Sequence, residues 1–359
     1  MLDNKSKMWY NGCILIIQKG KVSDMGTVEK NYKFKGVDCV KLSHGKYFCV
    51  IAPSMGASVL RLRDEENKID VFRYAENVTA EEINGSREIW GLPTLYLPNR
   101  FDAGVLKTSD AEYHLPLNEQ ALGNTIHGWV HKREHTIETV IMDNNKAVLE
   151  TSFTHDKNDE WYEFFPVDFK ISYRFTLSDE GLKQEISLTN LSDKALPVSL
   201  CTHTTINSPM VDGGEEKDLR LFVPIGKRCE LNERCLPTEK LLELNDWDKE
   251  YLTGKMPTLQ ELDNDMYTAE MNKLDGEDFY GVYVKDTVNG TMVLNEVSEE
   301  FRFWNMWNHN GVNHYFCPEP MTAMINCANL SMPDEVTGYS ELKKDETYTC
   351  WQRFFTKKV

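Results

Sequence analysis

Residues 168–177 read DFKISYRFTL: Phe169, Ile171, Tyr173, Phe175 and Leu177 fall on one face, and Asp168, Lys170, Ser172, Arg174 and Thr176 on the other. Side chains alternate across a β-strand, so this period of two describes a half-buried antiparallel strand. A turn at 178–181 leads to 184–191, where Ile186 and Leu188 alternate with Glu185, Ser187 and Thr189 as the second arm of a hairpin. The segments 282–285 and 291–297, joined by Asn289-Gly290, repeat that logic, and 301–308 alternates too. Helical periodicity is weak, with 79–84 and 258–263 as short candidates. The chain therefore reads as all-β, a large antiparallel β-sandwich. No linker or composition break divides residues 1–359, so a single domain is expected, with the acidic stretch 241–265 as a possible insertion. No repeat of propeller length is visible.

The 359 residues carry 40 Lys and Arg against 57 Asp and Glu, a net charge of −17, with 41% hydrophobic residues to build a large core. That charge and the lack of a Lys/Arg run argue against nucleic acid as a partner, and a small neutral molecule fits better. The apolar run at 13–17 after Lys5 and Lys7 is too short for a signal core, and no stretch approaches a membrane span. The nine cysteines, odd in number and scattered, fit reduced thiols. The expectation is a cytoplasmic monomer or homodimer, without a cofactor or metal.

Three places concentrate polar residues among apolar ones. In 91–101, GLPTLYLPNRF, two prolines break any central strand and leave a rigid loop ending in Asn99 and Arg100. Arg100 offers a planar fork of donors to ligand oxygens, or else partners a buried carboxylate. In 124–130, NTIHGWV, an indole face packs on sugar C–H bonds and an imidazole bonds hydroxyls, which nominates Trp129 and His127; a core tryptophan with a satisfied histidine is the plainer reading. His127, His131 and His135 are spaced by four, but Gly128 argues against the helix that metal ligation at that spacing requires. The third place is divided: His203 in SLCTHTT, and Glu319 between two prolines in CPEPMT. An imidazole and a carboxylate brought together by folding make an acid and base pair. Trp304, Trp307 and His309 lie near that glutamate in sequence, with core packing favoured over a cleft role.

In this order, GLPTLYLPNRF with Gly104, LPLNE, NTIHGWV, FFPVDFKISYRF through to TNLSDKALPVSLCTH, and CPEPMTAMINCAN resemble the aldose 1-epimerase (galactose mutarotase-like) family from about residue 53 onward. The resemblance implies a β-supersandwich and interconversion of sugar anomers without a cofactor. It implies His203 as general acid, Glu319 as general base, and Arg100 and His127 at the sugar. Asp278, before Phe279, is the nearest match to the family's acidic residue ahead of an aromatic strand. After its histidine the family usually continues with Pro, an aromatic and Phe, where this chain has Thr204, Thr205 and Ile206. A hexose-phosphate mutarotase, using Lys132 and Arg133, and a non-catalytic carbohydrate-binding protein are the rival readings. In the first reading His203 is held charged by a nearby carboxylate and faces Glu319 across a cavity on the order of 5–8 Å wide.

Overall fold

The computed structural model describes residues 26–359 and, before them, only the backbone of a short hairpin, Ser6–Tyr10 with Cys13–Ile17, whose second strand is the apolar run. One eight-stranded antiparallel sheet runs in the order Thr136–Asp143, Lys146–His155, Phe169–Ser178, Gly181–Asn190, Thr347–Lys358, Thr291–Val297, Gly281–Asp286 and Leu219–Phe222. Both hairpins read from the sequence lie in it, 169–178 turning to 181–190 through Asp179 and Glu180. At the end of that turn Gly181 has φ +97°, and a Cβ there would lie 2.1 Å from the Phe354 carbonyl oxygen, so only glycine lets the 347–358 strand close in.

The second large sheet runs Pro237–Leu242, Ile225–Leu231, Asp265–Ala269, Phe303–Trp307, Tyr315–Met321, Cys201–Thr202 and Thr94–Leu95, with Ile206–Asn207 also paired to the 315–321 strand. Alternation gives this sheet two destinations. Trp304, Met306 and Phe316 share one core with Phe175, Ile186 and Phe354 of the first sheet. Phe303, Met321 and Cys201, on the other face, pack in a smaller cluster under Met324 and Ile325. Beyond that cover the same face opens as a cleft. A five-stranded sheet, Thr27–Phe34 through Ile69–Asp70, adds Val40, Leu42, Ile51 and Leu62 to the main core.

The helical candidate at 79–84 forms as Ala80–Gly85, started by Thr79 and Glu82, each side chain bonding the other's backbone N–H. The candidate at 258–263 does not form. Leu259 has φ 63°, and the Asn308 side chain holds the carbonyls of Pro257 and Gln260 and the N–H of Leu262, so tertiary bonds take the groups a helix would use. A helix the sequence reading missed, Asp246–Thr253, is capped by Asn245 and Asp248. It lies inside 241–265 and ties that acidic stretch to the body of the protein. Tyr251 belongs to the main core, and the buried Asp248 carboxylate accepts from Arg228 Nη1 at 2.9 Å and Tyr267 Oη at 2.7 Å. The described cysteines are all free thiols, and all but Cys235 are buried. Among the described residues no helix is long and apolar enough to cross a membrane.

Asp248→Ala leaves the buried Tyr267 phenol without its acceptor and Arg228 with Asp265 alone. It should lower the unfolding free energy by about 2–4 kcal/mol in a urea titration of the whole chain. A change below about 0.5 kcal/mol, the range of surface substitutions, would mean that this stretch is peripheral after all.

Candidate active site

Strand register brings the first two polar motifs together. Arg100–Asp102 pairs antiparallel with Asn124–Ile126, Arg100 opposite Ile126. One step past that ladder the His127 N–H donates to the Asn99 carbonyl at 2.9 Å. Gly128 follows with φ +56°, where a Cβ would lie 2.2 Å from the Tyr96 carbonyl oxygen. A glycine is therefore required directly after the histidine for this loop to pack.

The third motif is assembled by a broken ladder. Cys201 lies opposite Met321 and Ile206 opposite Phe316; carrying either register into the unpaired stretch between them sets His203 opposite Glu319. The ladder is broken there for a chemical reason. The N–H of Thr322 bonds the Leu200 carbonyl, so the even-numbered backbone groups of this strand face the 201–206 segment; at 318 and 320 those groups are prolines, which have no N–H to give. The 203–205 segment bonds elsewhere, His203 N–H to the Pro93 carbonyl and Thr205 N–H to that of Gly91. On its other side the 315–321 strand pairs normally, Asn305 opposite Glu319 and Trp307 opposite Cys317.

His203 Nε2 is 3.4 Å from Glu319 Oε1, with the two side chains 4% and 2% exposed. This is contact, closer than the 5–8 Å expected from the sequence. The pair therefore leaves no room for a ligand between its members. Burial pushes the Glu319 carboxyl up to about 8, against the pull of hydrogen bonds from Asn305 and Cys201 and of the Arg100 charge. Burial also pushes His203 down to about 4. The carboxyl group that the sequence reading placed beside His203 is there, but burial drives the imidazole away from the charged form expected of it. Burial thus drives both members of the pair toward their uncharged forms. His127 is held well below its usual value by burial, and next by His203, whose ring it meets edge-on with centroids 5.4 Å apart.

The pair lies in a cleft of about 340 Å³ that is also lined by Asn99, Arg100 and His127. Arg100 is both things the sequence allowed. It reaches the cleft, and its Nε and Nη2 are clamped by Glu119 at 2.8–3.1 Å, leaving Nη1 with Asn99 Oδ1 at 3.4 Å. Two nominated residues do not join this group. Trp129 is 1% exposed and stacks on Trp161 with centroids 4.7 Å apart, so it is a core residue. Asp278 is exposed on the short strand Glu277–Phe279, paired with Lys273. Trp304 is buried in the core, whereas Trp307 and His309 line the cleft. Trp307 meets the His203 ring edge-on at 5.8 Å. Alternation along 303–307 carried that signal, since Trp307 shares its face with Asn305, opposite the glutamate.

Glu88 and Asn264 also line the cleft and were not nominated. Asn264 directly precedes the strand carrying Tyr267, a second place to look for a polar residue ahead of an aromatic strand, but an amide escapes a search for an acid. His131 and His135 do not join His127 on a helical face. His131 lies in a single 3₁₀ turn, and His135 stacks on Tyr173.

Residues 38–354 match the model of the aldose 1-epimerase family. The chain belongs to the aldose 1-epimerase family. It is similar to a galactose mutarotase-like protein from Clostridium acetobutylicum, with 29% identity over 94% of this chain and 99% of that one and a TM-score of 0.89. Galactose 1-epimerase from Lactobacillus acidophilus NCFM shares the fold at 14% identity over 93% of this chain and 98% of that one, TM-score 0.67. An aldose epimerase homologue from C. elegans does so at 17% identity over 87% and 96%, TM-score 0.67.

The two tryptophans give opposite expectations within this family frame. Trp129→Ala should cost about 3–5 kcal/mol of stability in a denaturant titration. Trp307→Ala should cost far less stability and raise KM for an aldose several-fold, through loss of an aromatic face. Equal stability losses with unchanged KM would return Trp307 to the core.

Proposed function

We propose that the protein is a mutarotase, an aldose 1-epimerase that interconverts the α and β anomers of a free, uncharged aldose. The observation that carries this reading is the His203–Glu319 contact on the wall of a cleft of sugar size; with burial raising the acid and lowering the imidazole, the two groups share one proton near neutrality. Opening a hemiacetal ring removes a proton from the anomeric hydroxyl and delivers one to the ring oxygen. A pair holding one proton does both, and ends in its other tautomer. Rotation about the carbon–carbon bond next to the aldehyde presents its other face, and closure returns the pair to its starting tautomer. By resemblance His203 serves the ring oxygen and Glu319 the hydroxyl. A proton held by Glu319 is one transfer along the 3.4 Å contact from that arrangement. Arg100 Nη1, Asn99 and His127 orient the sugar hydroxyls.

Charge favours a neutral substrate over a hexose phosphate. The cleft's arginine is already neutralised by Glu119, and Glu88 adds a carboxylate. Neither Lys132 nor Arg133 lines the cleft; Lys132 is exposed, and Arg133 is bound to Asp159 at 2.5 Å and to Glu160 at 3.0 Å. Freshly dissolved glucose or galactose should therefore lose its polarimetric drift faster with the protein present, and glucose 6-phosphate should respond much less. Preference for the phosphate ester would reverse the assignment. No acceleration with any aldose would leave a binding protein.

Glu319→Gln and His203→Asn should each lower kcat by about 10²- to 10⁴-fold while changing KM only a few-fold. The pair holds one proton between its two values, about 4 and about 8. As pH falls through the lower value His203 gains a second proton and no base remains; as pH rises through the upper one Glu319 loses the only proton and no acid remains. A plot of kcat/KM against pH should be bell-shaped with those limbs. A profile flat from pH 5 to 10 would disprove the one-proton pair.

A further inference from the structure

Proton transfer uses only two of the groups gathered at Glu319. Cys317 lies two residues before it on the same strand and shares its face; Cys201 comes from the facing segment. Cys201 Sγ is 3.8 Å from Glu319 Oε2, and Cys317 Sγ is 3.7 Å from Thr205 Oγ1. One ligand atom each from His203, Cys317 and Glu319 lies within 4.8 Å of the other two, and all three residues are buried. Among the described residues this is the one group of three or more such side chains placed to hold an ion.

We propose that this cluster is an inhibitory binding site for a soft divalent cation of the Zn²⁺ type, held by His203 Nε2, Cys317 Sγ and a Glu319 oxygen. Ligand chemistry selects the metal, because an imidazole, a thiolate and a single carboxylate suit Zn²⁺ and not Mg²⁺ or Ca²⁺. Distance agrees. Tetrahedral ligands about 2.0–2.1 Å from zinc stand about 3.4 Å apart, and His203 Nε2 and Glu319 Oε1 are already 3.4 Å apart. The sulfur need move inward by only about 1 Å to reach its bonding distance of about 2.3 Å. Charge agrees as well. A bound M²⁺ is balanced by one carboxylate and one thiolate, any protons they carried going to solvent, so the loaded site is neutral. A buried site therefore takes the ion without acquiring an unpaired charge. The fourth position of the metal faces the cleft, where water fills it. Both proton-transfer groups are then ligands, so the loaded protein cannot turn over.

The test begins with a probe that needs no turnover. Co²⁺ added to chelator-treated protein should produce a thiolate-to-metal charge-transfer band in the near ultraviolet, displaced by Zn²⁺ and absent in Cys317→Ser and Cys317→Ala. Cys235→Ser, at the least buried described cysteine, should leave it intact. If the protein is a mutarotase, Zn²⁺ should inhibit it in competition with aldose and reversibly by chelator. Cys317→Ser should then require about 10²-fold more Zn²⁺ for half inhibition, each protein being measured against its own metal-free rate. Absence of the band, or a band that survives both Cys317 variants, overturns the site whatever the enzyme assays show. A protein inactive on every aldose yet showing the Cys317-dependent band would refute the proposed function and keep the metal site.

Discussion

A carboxyl and an imidazole buried in contact set the terms for everything around them. Water is excluded from both, so each is driven toward its uncharged form, Glu319 upward and His203 downward. Two fully charged groups would be costly there, and two uncharged groups without a mobile proton would be inert. The surroundings keep the pair between those limits. Asn305 and Cys201 bond the carboxyl, the Arg100 charge is felt from the cleft, and that charge is itself balanced by Glu119.

The backbone holds the pair by omission. Prolines at 318 and 320 remove two donors from the side of the strand that faces residues 201–206, and the 203–205 segment turns to Pro93 and Gly91 for its hydrogen bonds. The GLPTLYLPNRF loop thereby becomes a structural neighbour of the histidine, and its far end supplies Asn99 and Arg100 to the same cleft. A regular ladder would have tied His203 to the sheet alone. The 303–307 strand, paired normally on the other side, supplies Trp307 on one face and core residues Trp304 and Met306 on the other.

Local pattern was sufficient for the strands because a half-buried sheet writes its burial directly into a period of two. Residues 169–178 alternate between buried and partly exposed along almost their whole length. The pattern was silent for Asp246–Thr253, an eight-residue helix whose stability comes from a capping box and from Tyr251 reaching the main core. It misled at 258–263, where the Asn308 side chain outcompetes a helical turn. Short elements are decided by such contacts, and contacts between distant residues leave no local period.

The sequence alone determined the all-β architecture, the family, and the residue types in the cleft: Asn99, Arg100, His127, His203 and Glu319 are each in a motif that can be read without coordinates. Tertiary structure decided what those residues are to one another. It sent Trp129 to the core and Trp307 to the cleft, left Asp278 on the surface, and brought Asn264 and Glu88 to the cleft from unmarked positions. It also closed the expected gap between His203 and Glu319 to a contact of 3.4 Å, where burial raises the carboxyl and lowers the imidazole. The physical reason is the same in each case. Composition and period report what a residue can bury or bond, whereas desolvation and strand register depend on what the rest of the chain puts beside it.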